Sequence, residues 1–250
     1  MEKMEGVMQR YFVDQFNLDG FLMNSEDLHH IKKVMRMKNK DQIICINQSA
    51  EVYLCEIEDI GSGLIKVLEK LNENHELPVK VHLIYALPKG DKFEFVLQKA
   101  CELGVHSITP LMTKRSVIKT DAQKFSKKYD RYRKILKESA EQSYRNIIPN
   151  LQPLIQINEI ANMMSDYNIV AYEQNAKNNE ISVLKNTLSQ MKKGESITII
   201  VGCEGGFDPS EIEKLNKMGV LSCSLGKRIL RSETAPLYML SAISYALELE

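Results

Sequence analysis

Leu225-Gly226-Lys227-Arg228-Ile229-Leu230-Arg231-Ser232-Glu233-Thr234-Ala235 is the stretch on which the reading of this 250-residue chain turns. It follows an apolar run, Val220–Ser224, that reads as a buried strand, and it leads into helical sequence from about Pro236 to Leu247. Gly226 permits a turn that a Cβ would hinder. Lys227, Arg228 and Arg231 put three cations into that turn. A solvated loop is one reading. The other starts from Ile229 and Leu230, an apolar pair among charges that needs something flat to pack against, such as the adenine of a cofactor. Ser232, Glu233 and Thr234 offer caps for the final helix.

A second glycine turn lies one strand upstream. Ile197–Val201 is a strand-length apolar run, followed by Gly202-Cys203-Glu204-Gly205-Gly206-Phe207 and then by Asp208-Pro209-Ser210-Glu211. The last four residues carry a helix cap, a proline at the first helical position and a glutamate at the third. The G-x-x-G-G spacing is neither G-x-G-x-x-G nor a phosphate loop ending in lysine and serine or threonine. A plain strand-to-helix turn has this composition too. Glu204, a carboxylate inside the glycine turn, points instead to recognition or orientation of a ligand.

Outward from these loops, strand and helix alternate from Val79 onward. Val79–Ala86, Ser107–Leu111 and Asn168–Tyr172 read as further buried strands. Phe93, Val96, Leu97, Ala100 and Leu103 share one face of a helix over Asp91–Leu103 that Gly104 stops. Such alternation predicts an α/β unit on a parallel sheet. Phe125–Arg145 reads as one long charged helix, in which Gln142 and Arg145 are three apart and share a face. The first seventy residues differ: Gln9–Val13, Gln42–Asn47, Val52–Ile57 and Leu64–Leu68 read as short strands. One helix begins at Ser25-Glu26-Asp27. That pattern predicts a small β-barrel over residues 1–72. The polar stretch Asn72–Pro78 then links it to a second domain over 78–250.

Composition narrows the function classes. Net charge is zero and no apolar run approaches a membrane span. Five cysteines, at 45, 55, 101, 203 and 223, form no CxxC pair, so neither zinc nor a disulfide framework is expected; reduced thiols of a cytoplasmic protein are. The neutral total hides a basic segment. Lys114 to Lys134 holds nine cations against Asp121 and Asp130. This is either a solvated helix face or a phosphate-facing patch. Lys89, Lys92 and Arg115 flank one strand–helix–strand unit and are candidates for one rim. Arg10-Tyr11-Phe12 and the His29-His30…Arg36 segment combine bases with aromatics, either as core and surface or as an RNA-stacking face.

Taken together and in this order, these segments resemble the bacterial 16S ribosomal RNA uridine N3-methyltransferases, knotted enzymes of the SPOUT superfamily that modify uridine 1498. The likeness spans Met8 to about Leu247; Leu225–Ala235 and Lys89–Ser116 are its specific parts. One departure is Cys203, where the family usually has proline, so the turn loses a fixed φ. The residues before Met8 read as an extra leader. The resemblance implies an N-terminal PUA-like β-barrel and a C-terminal SPOUT α/β domain with a deep trefoil knot. It also implies a homodimer and S-adenosylmethionine bound against Tyr172, Gly202, Glu204, Gly205, Leu225, Gly226, Ile229, Leu230, Thr234 and Ala235. The implied substrate is 16S rRNA in the 30S subunit, expected to be held by Arg10, Arg36, Lys89, Lys92, Arg115 and Arg145, with no metal and no membrane expected.

Methylating N3 of uridine requires removal of a weakly acidic N–H and in-line attack on a methyl sulfonium. The pairing edge must therefore be exposed. Arg231 is the candidate for stabilising the developing uracil anion, and Glu233 is either a proton acceptor or an orienter of that arginine. Two alternatives remain. A SPOUT ribose 2′-O-methyltransferase would carry an Asn-x-x-x-Arg signature, which is lacking near Glu102–Arg115. An RNA-binding assembly factor would tolerate degenerate loops, which these are not.

Overall fold

Six parallel strands carry the second half of the chain. They are β7 (Lys80–Ala86), β8 (Ser107–Met112), β10 (Ile155–Gln156), β11 (Tyr167–Ala171), β12 (Ser196–Val201) and β13 (Leu221–Cys223), with the two-residue β9 (Asn150–Leu151) also on β8. The spatial order is β10-β8-β7-β12-β11-β13. The computed structural model describes residues 8–14, 20–118, 120–174 and 182–249, and the backbone alone of 16–17. The leader before Met8 and Lys119 lie outside the described residues.

Apolar runs without alternation are what a sheet covered on both faces demands. Ile84, Ala86, Val170 and Ile200 pack on one face with Ile157 and Ile160 of a 3₁₀ turn and Ile212 and Leu215 of the helix Pro209–Lys217. The helix Thr234–Glu248 contacts β7, β12 and the helix Lys92–Glu102. The long helix expected over Phe125–Arg145 is instead two, Ala122–Ser126 and Tyr129–Gln142. Asp121 starts the first by accepting the Lys124 N–H at 2.7 Å. Part of the expected basic patch is paired in place. Arg131 pairs with Glu94 at 2.7 Å, Lys124 with Asp121 and Lys134 with Glu138.

The first half forms a mostly antiparallel sheet of β1 (Arg10–Phe12), β2 (Phe16–Asn17), β3 (Gly20–Leu22), β4 (Gln42–Ile46), β5 (Val52–Asp59) and β6 (Leu64–Leu71). The order is β1-β4-β5-β6-β3-β2, with β1 parallel to β4. Register shifts in β5 at Leu54/Cys55 and Ile57/Asp59 bend it. A helix, Ser25–His29, starts at Asn24 rather than at the expected Ser25; the Asn24 side chain accepts the Asp27 N–H at 2.9 Å. Phe21, Ile31, Ile43, Ile57 and Ile65 form the core.

By their contacts, residues up to Glu76 and Ala140–Ile147 make one unit. Leu77–Ser139 and the chain from Ile148 onward make the other. Ala140–Ile147 joins the first unit for a reason visible in its bonds. Arg145 forks onto the Glu76 carboxylate, and the Asn146 side chain spans the His75 N–H and the Glu73 carbonyl. Among the described residues, no helix is long and apolar enough to cross a membrane, no cluster could hold a metal, and all five cysteines are buried.

Candidate active site

The C-terminal ends of β11, β12 and β13 open into one cavity of about 410 Å³. Such strand ends, where the order reverses across a parallel sheet, are where open α/β folds bind ligands. Two loops wall it. After β12, the Gly206 N–H returns to the Cys203 carbonyl at 2.9 Å, closing a tight turn. Gly206 sits at φ +64° and Gly226 at φ +98°, in the left-handed region that favours glycine. Asp208 and Glu211 form a reciprocal capping box that fixes the start of the next helix. Glu211, almost fully buried, also accepts the Lys114 N–H at 2.8 Å, tying the segment after β8 to this helix start.

A lysine bridges the two loops. Lys92 Nζ lies 2.9 Å from Glu204 in the first loop and 3.0 Å from Glu233 in the second. Glu204 also accepts the Lys89 N–H at 3.2 Å, and Glu233 accepts the Ser232 hydroxyl at 3.1 Å. Partial burial pushes both carboxyls up. The Lys92 ammonium and the neighbouring backbone N–H groups outweigh it, so both are held below the usual glutamate range. The two carboxylates in turn raise Lys92. The triad is thus ionised throughout, with one net negative charge.

Of the expected cofactor residues, Tyr172, Gly202, Glu204, Leu225, Gly226, Ile229, Leu230 and Ala235 line the cavity. Ile229 is 74 % exposed, an apolar wall with nothing packed on it. Gly205 and Thr234 do not line the cavity: the Gly205 carbonyl accepts from Arg115 at 3.1 Å, and Thr234 is an exposed residue at the start of the final helix. Arg231 lines the cavity too. Its carbonyl accepts the Thr234 and Ala235 N–H groups at 3.0 Å, which fixes its backbone. Among the described residues, no ion pair or hydrogen bond holds its guanidinium.

Of the expected RNA contacts, Lys89, Arg115 and Arg36 are exposed. Lys92 lines the cavity, but its charge is engaged by the two glutamates. Arg10 and Arg145 require correction as direct RNA contacts. They are 5 % and 2 % exposed and their guanidinium groups are taken by Glu73 and Glu76. A buried, paired arginine presents no face to a phosphate. The sequence reading missed Glu173, Gln174, Arg228 and Ser232 as lining residues. Glu173 and Gln174 had a usable signal, since they follow the end of a parallel strand. Ser232 and Arg228 were read as a cap and as loop charge.

Fold and cavity define a class. The family described as the RNA methyltransferase domain matches residues 75–244, and the family described as the RNA methyltransferase PUA domain matches residues 24–70. The ribosomal RNA small subunit methyltransferase E of Bacillus subtilis (strain 168) is 44 % identical over 97 % of this chain and 98 % of its own. A putative methyltransferase from Legionella pneumophila, solved with bound SAM, superposes with a TM-score of 0.81 at 29 % identity, covering 96 % of this chain and 98 % of that one. The small subunit methyltransferase E of Neisseria gonorrhoeae, solved with S-adenosyl methionine, has a TM-score of 0.81 at 25 % identity over 95 % of this chain and 97 % of that one. The chain belongs to the ribosomal RNA small subunit methyltransferase E family.

Proposed function

We propose that this chain methylates N3 of uridine 1498 of 16S rRNA within the 30S subunit, with S-adenosylmethionine as methyl donor. The observation that carries the reading is the cavity between the two loops, with an ionised triad on one side and an unpaired arginine on another. Its volume of about 410 Å³ suits a small-molecule cofactor. Ile229, Leu230 and Leu225 supply apolar surface for an adenine, and the net negative charge of Glu204, Lys92 and Glu233 complements a sulfonium. The bound cofactor supplies an electrophilic methyl group.

The chain's residues do the rest. Arg231 faces the cavity with a charge that persists at every working pH, so it can stabilise negative charge on the uracil as N3 loses its proton. Glu233, kept ionised by Lys92, is a poor proton acceptor; we assign it to fixing the second loop, and with it Arg231. Lys89, Arg115 and Arg36 are assigned to phosphate contact.

Finer architecture belongs to the same proposal. Residues 1–72 act as a PUA-like barrel that binds RNA and 78–250 as the methyltransferase domain. In support of a trefoil knot, β12 enters the sheet between β7 and β11, and the chain then leaves edge strand β13 for a helix packed on β7 and β12. In support of a homodimer, that helix exposes Tyr238 and Tyr245, and its neighbour exposes Phe95. The cytoplasm, where 30S subunits are found, is the assigned compartment. The test is mass mapping of methylated nucleosides after incubation with unmodified 30S subunits and S-adenosylmethionine. N3-methyluridine at position 1498 is expected. Cofactor binding without any methylated nucleoside would overturn the reading.

A further inference from the structure

Tyr144 occupies a backbone position that suits glycine. It lies two residues beyond the helix Tyr129–Gln142, at φ +61°. That conformation closes helices and is usually given to glycine, because a side chain crowds the carbonyl there. A bulky aromatic in this region is an outlier, and outliers persist where the surroundings or a function require them.

Two neighbours hold the ring. The Arg10 guanidinium carbon lies 4.8 Å from the ring centroid. Arg10 is itself fixed by Glu73 at 3.0 Å, and its Nε has no hydrogen-bond partner among the described residues. The exposed His75 ring meets Tyr144 edge-on, with centroids 6.3 Å apart. Tyr144 nonetheless remains 37 % exposed. The result is a rigid aromatic ring braced by a buried cation, with open area left over. A cation behind the ring draws π density away from its outer face and suits that face to an electron-rich nucleobase. Unpaired bases stack on aromatic side chains in just this way.

We infer that Tyr144 is a stacking platform for an unpaired nucleobase of the RNA substrate, with Arg10 as the positioning residue behind it. The inference rests on reading the chain as an rRNA methyltransferase. It gives Arg10 an indirect part in RNA binding that its burial denies it directly.

The test compares full-length wild type, Tyr144→Asn and Tyr144→Phe. Asparagine tolerates the left-handed backbone but has no ring; phenylalanine keeps the ring. Filter binding to unmodified 30S subunits is measured across a salt series, with S-adenosylmethionine calorimetry and thermal melting alongside. Tyr144→Asn should weaken 30S binding about 5- to 150-fold, the equivalent of ~1–3 kcal/mol for one stacked base. The slope against salt should stay unchanged because no phosphate contact is lost. Tyr144→Phe should stay within about twofold, by the same stacking argument, and cofactor affinity should not move. Wild-type 30S affinity in Tyr144→Asn, or an equal loss in Tyr144→Phe, overturns the platform. If Tyr144→Asn does not fold, ultraviolet crosslinking of wild type to 30S subunits decides, and no nucleotide adduct on Tyr144 overturns it. Failure of the underlying reading looks different: wild type itself would not bind cofactor or 30S subunits.

Discussion

Arginines at the cavity rim and arginines in the first unit are the same residue type in opposite states. Arg231 and Arg115 are exposed, and Arg231 has a fixed backbone with an untied head. Arg145 is 2 % exposed, grips Glu76 through Nε and Nη2, and is backed by Asn146 on the same carboxylate. At the rim the Arg231 charge is available to a ligand, while exposed Arg115 donates to the Gly205 carbonyl at 3.1 Å and faces Asp208 at 3.9 Å. Charge in the first unit is committed to joining Ala140–Ile147 to the end of β6 and the segment after it. Lys92 is intermediate, with a side chain 33 % exposed and bonds to two carboxylates. The state of a cation, rather than its presence, separates binding from architecture.

The largest effect should come from breaking the buried pair. Arg145→Ala leaves Glu76 uncompensated and should destabilise the first unit by about 3–5 kcal/mol. Urea unfolding followed by a probe in that unit reads this, and cofactor affinity of the folded fraction should stay put. An Arg145→Ala protein of normal stability that had lost only RNA binding would erase the distinction drawn above.

Next is Arg231→Ala, which should leave stability and cofactor affinity nearly intact. Single-turnover methylation should fall roughly 10²–10³-fold, as for loss of other anion-stabilising donors. Arg231→Lys should recover only part, since a point charge does not reproduce a planar fork. A normal chemical rate at saturating 30S subunits would move Arg231 to substrate positioning.

Lys92→Met tests the intermediate case. It leaves two carboxylates facing each other without their cation. Cofactor affinity should drop about tenfold, equivalent to ~1.4 kcal/mol and within the range for a hydrogen bond to a charged group. Calorimetry reads it, and unchanged affinity would make the bridge incidental.

The smallest effect is in pH. Glu204 and Glu233 are held below their usual range, so the folded site binds fewer protons than the same groups unpaired. Their contribution is complete above the ordinary glutamate value near 4.5 and is lost as pH falls through the lowered ones. Folding stability should therefore carry this contribution undiminished from about pH 9 down to about 5 and lose it below that, read by urea unfolding across pH. A midpoint near neutrality would assign the titration to another group.

Much of the second unit was legible in the sequence because its strands are uninterrupted apolar runs. Ile197–Val201 and Val79–Ala86 match β12 and β7 to within a residue. The strand ends then located the cavity. What was not legible depends on contacts between distant residues. Nothing local to Lys92 announces Glu204 and Glu233, 112 and 141 residues further along the chain. The burial of Arg10 follows from Glu73 and Tyr144, which no periodicity connects. The short β2, β3, β9 and β10 escaped because two or three residues carry no period.

The placement of β12 has a consequence for synthesis. The strand at the middle of the sheet is among the last to be made, for β7 ends at Ala86 and β12 only at Val201. At roughly 5–20 residues per second, on the order of ten seconds pass between them on the ribosome. Throughout that interval the edge of β7 that β12 will cover has unpaired backbone groups, and the edge of β11 joins it once Ala171 has been made, a template for pairing with another nascent chain. The catalytic unit cannot complete itself segment by segment as it emerges. It must wait for its centre, and crowded expression should expose that wait as aggregation of incomplete chains.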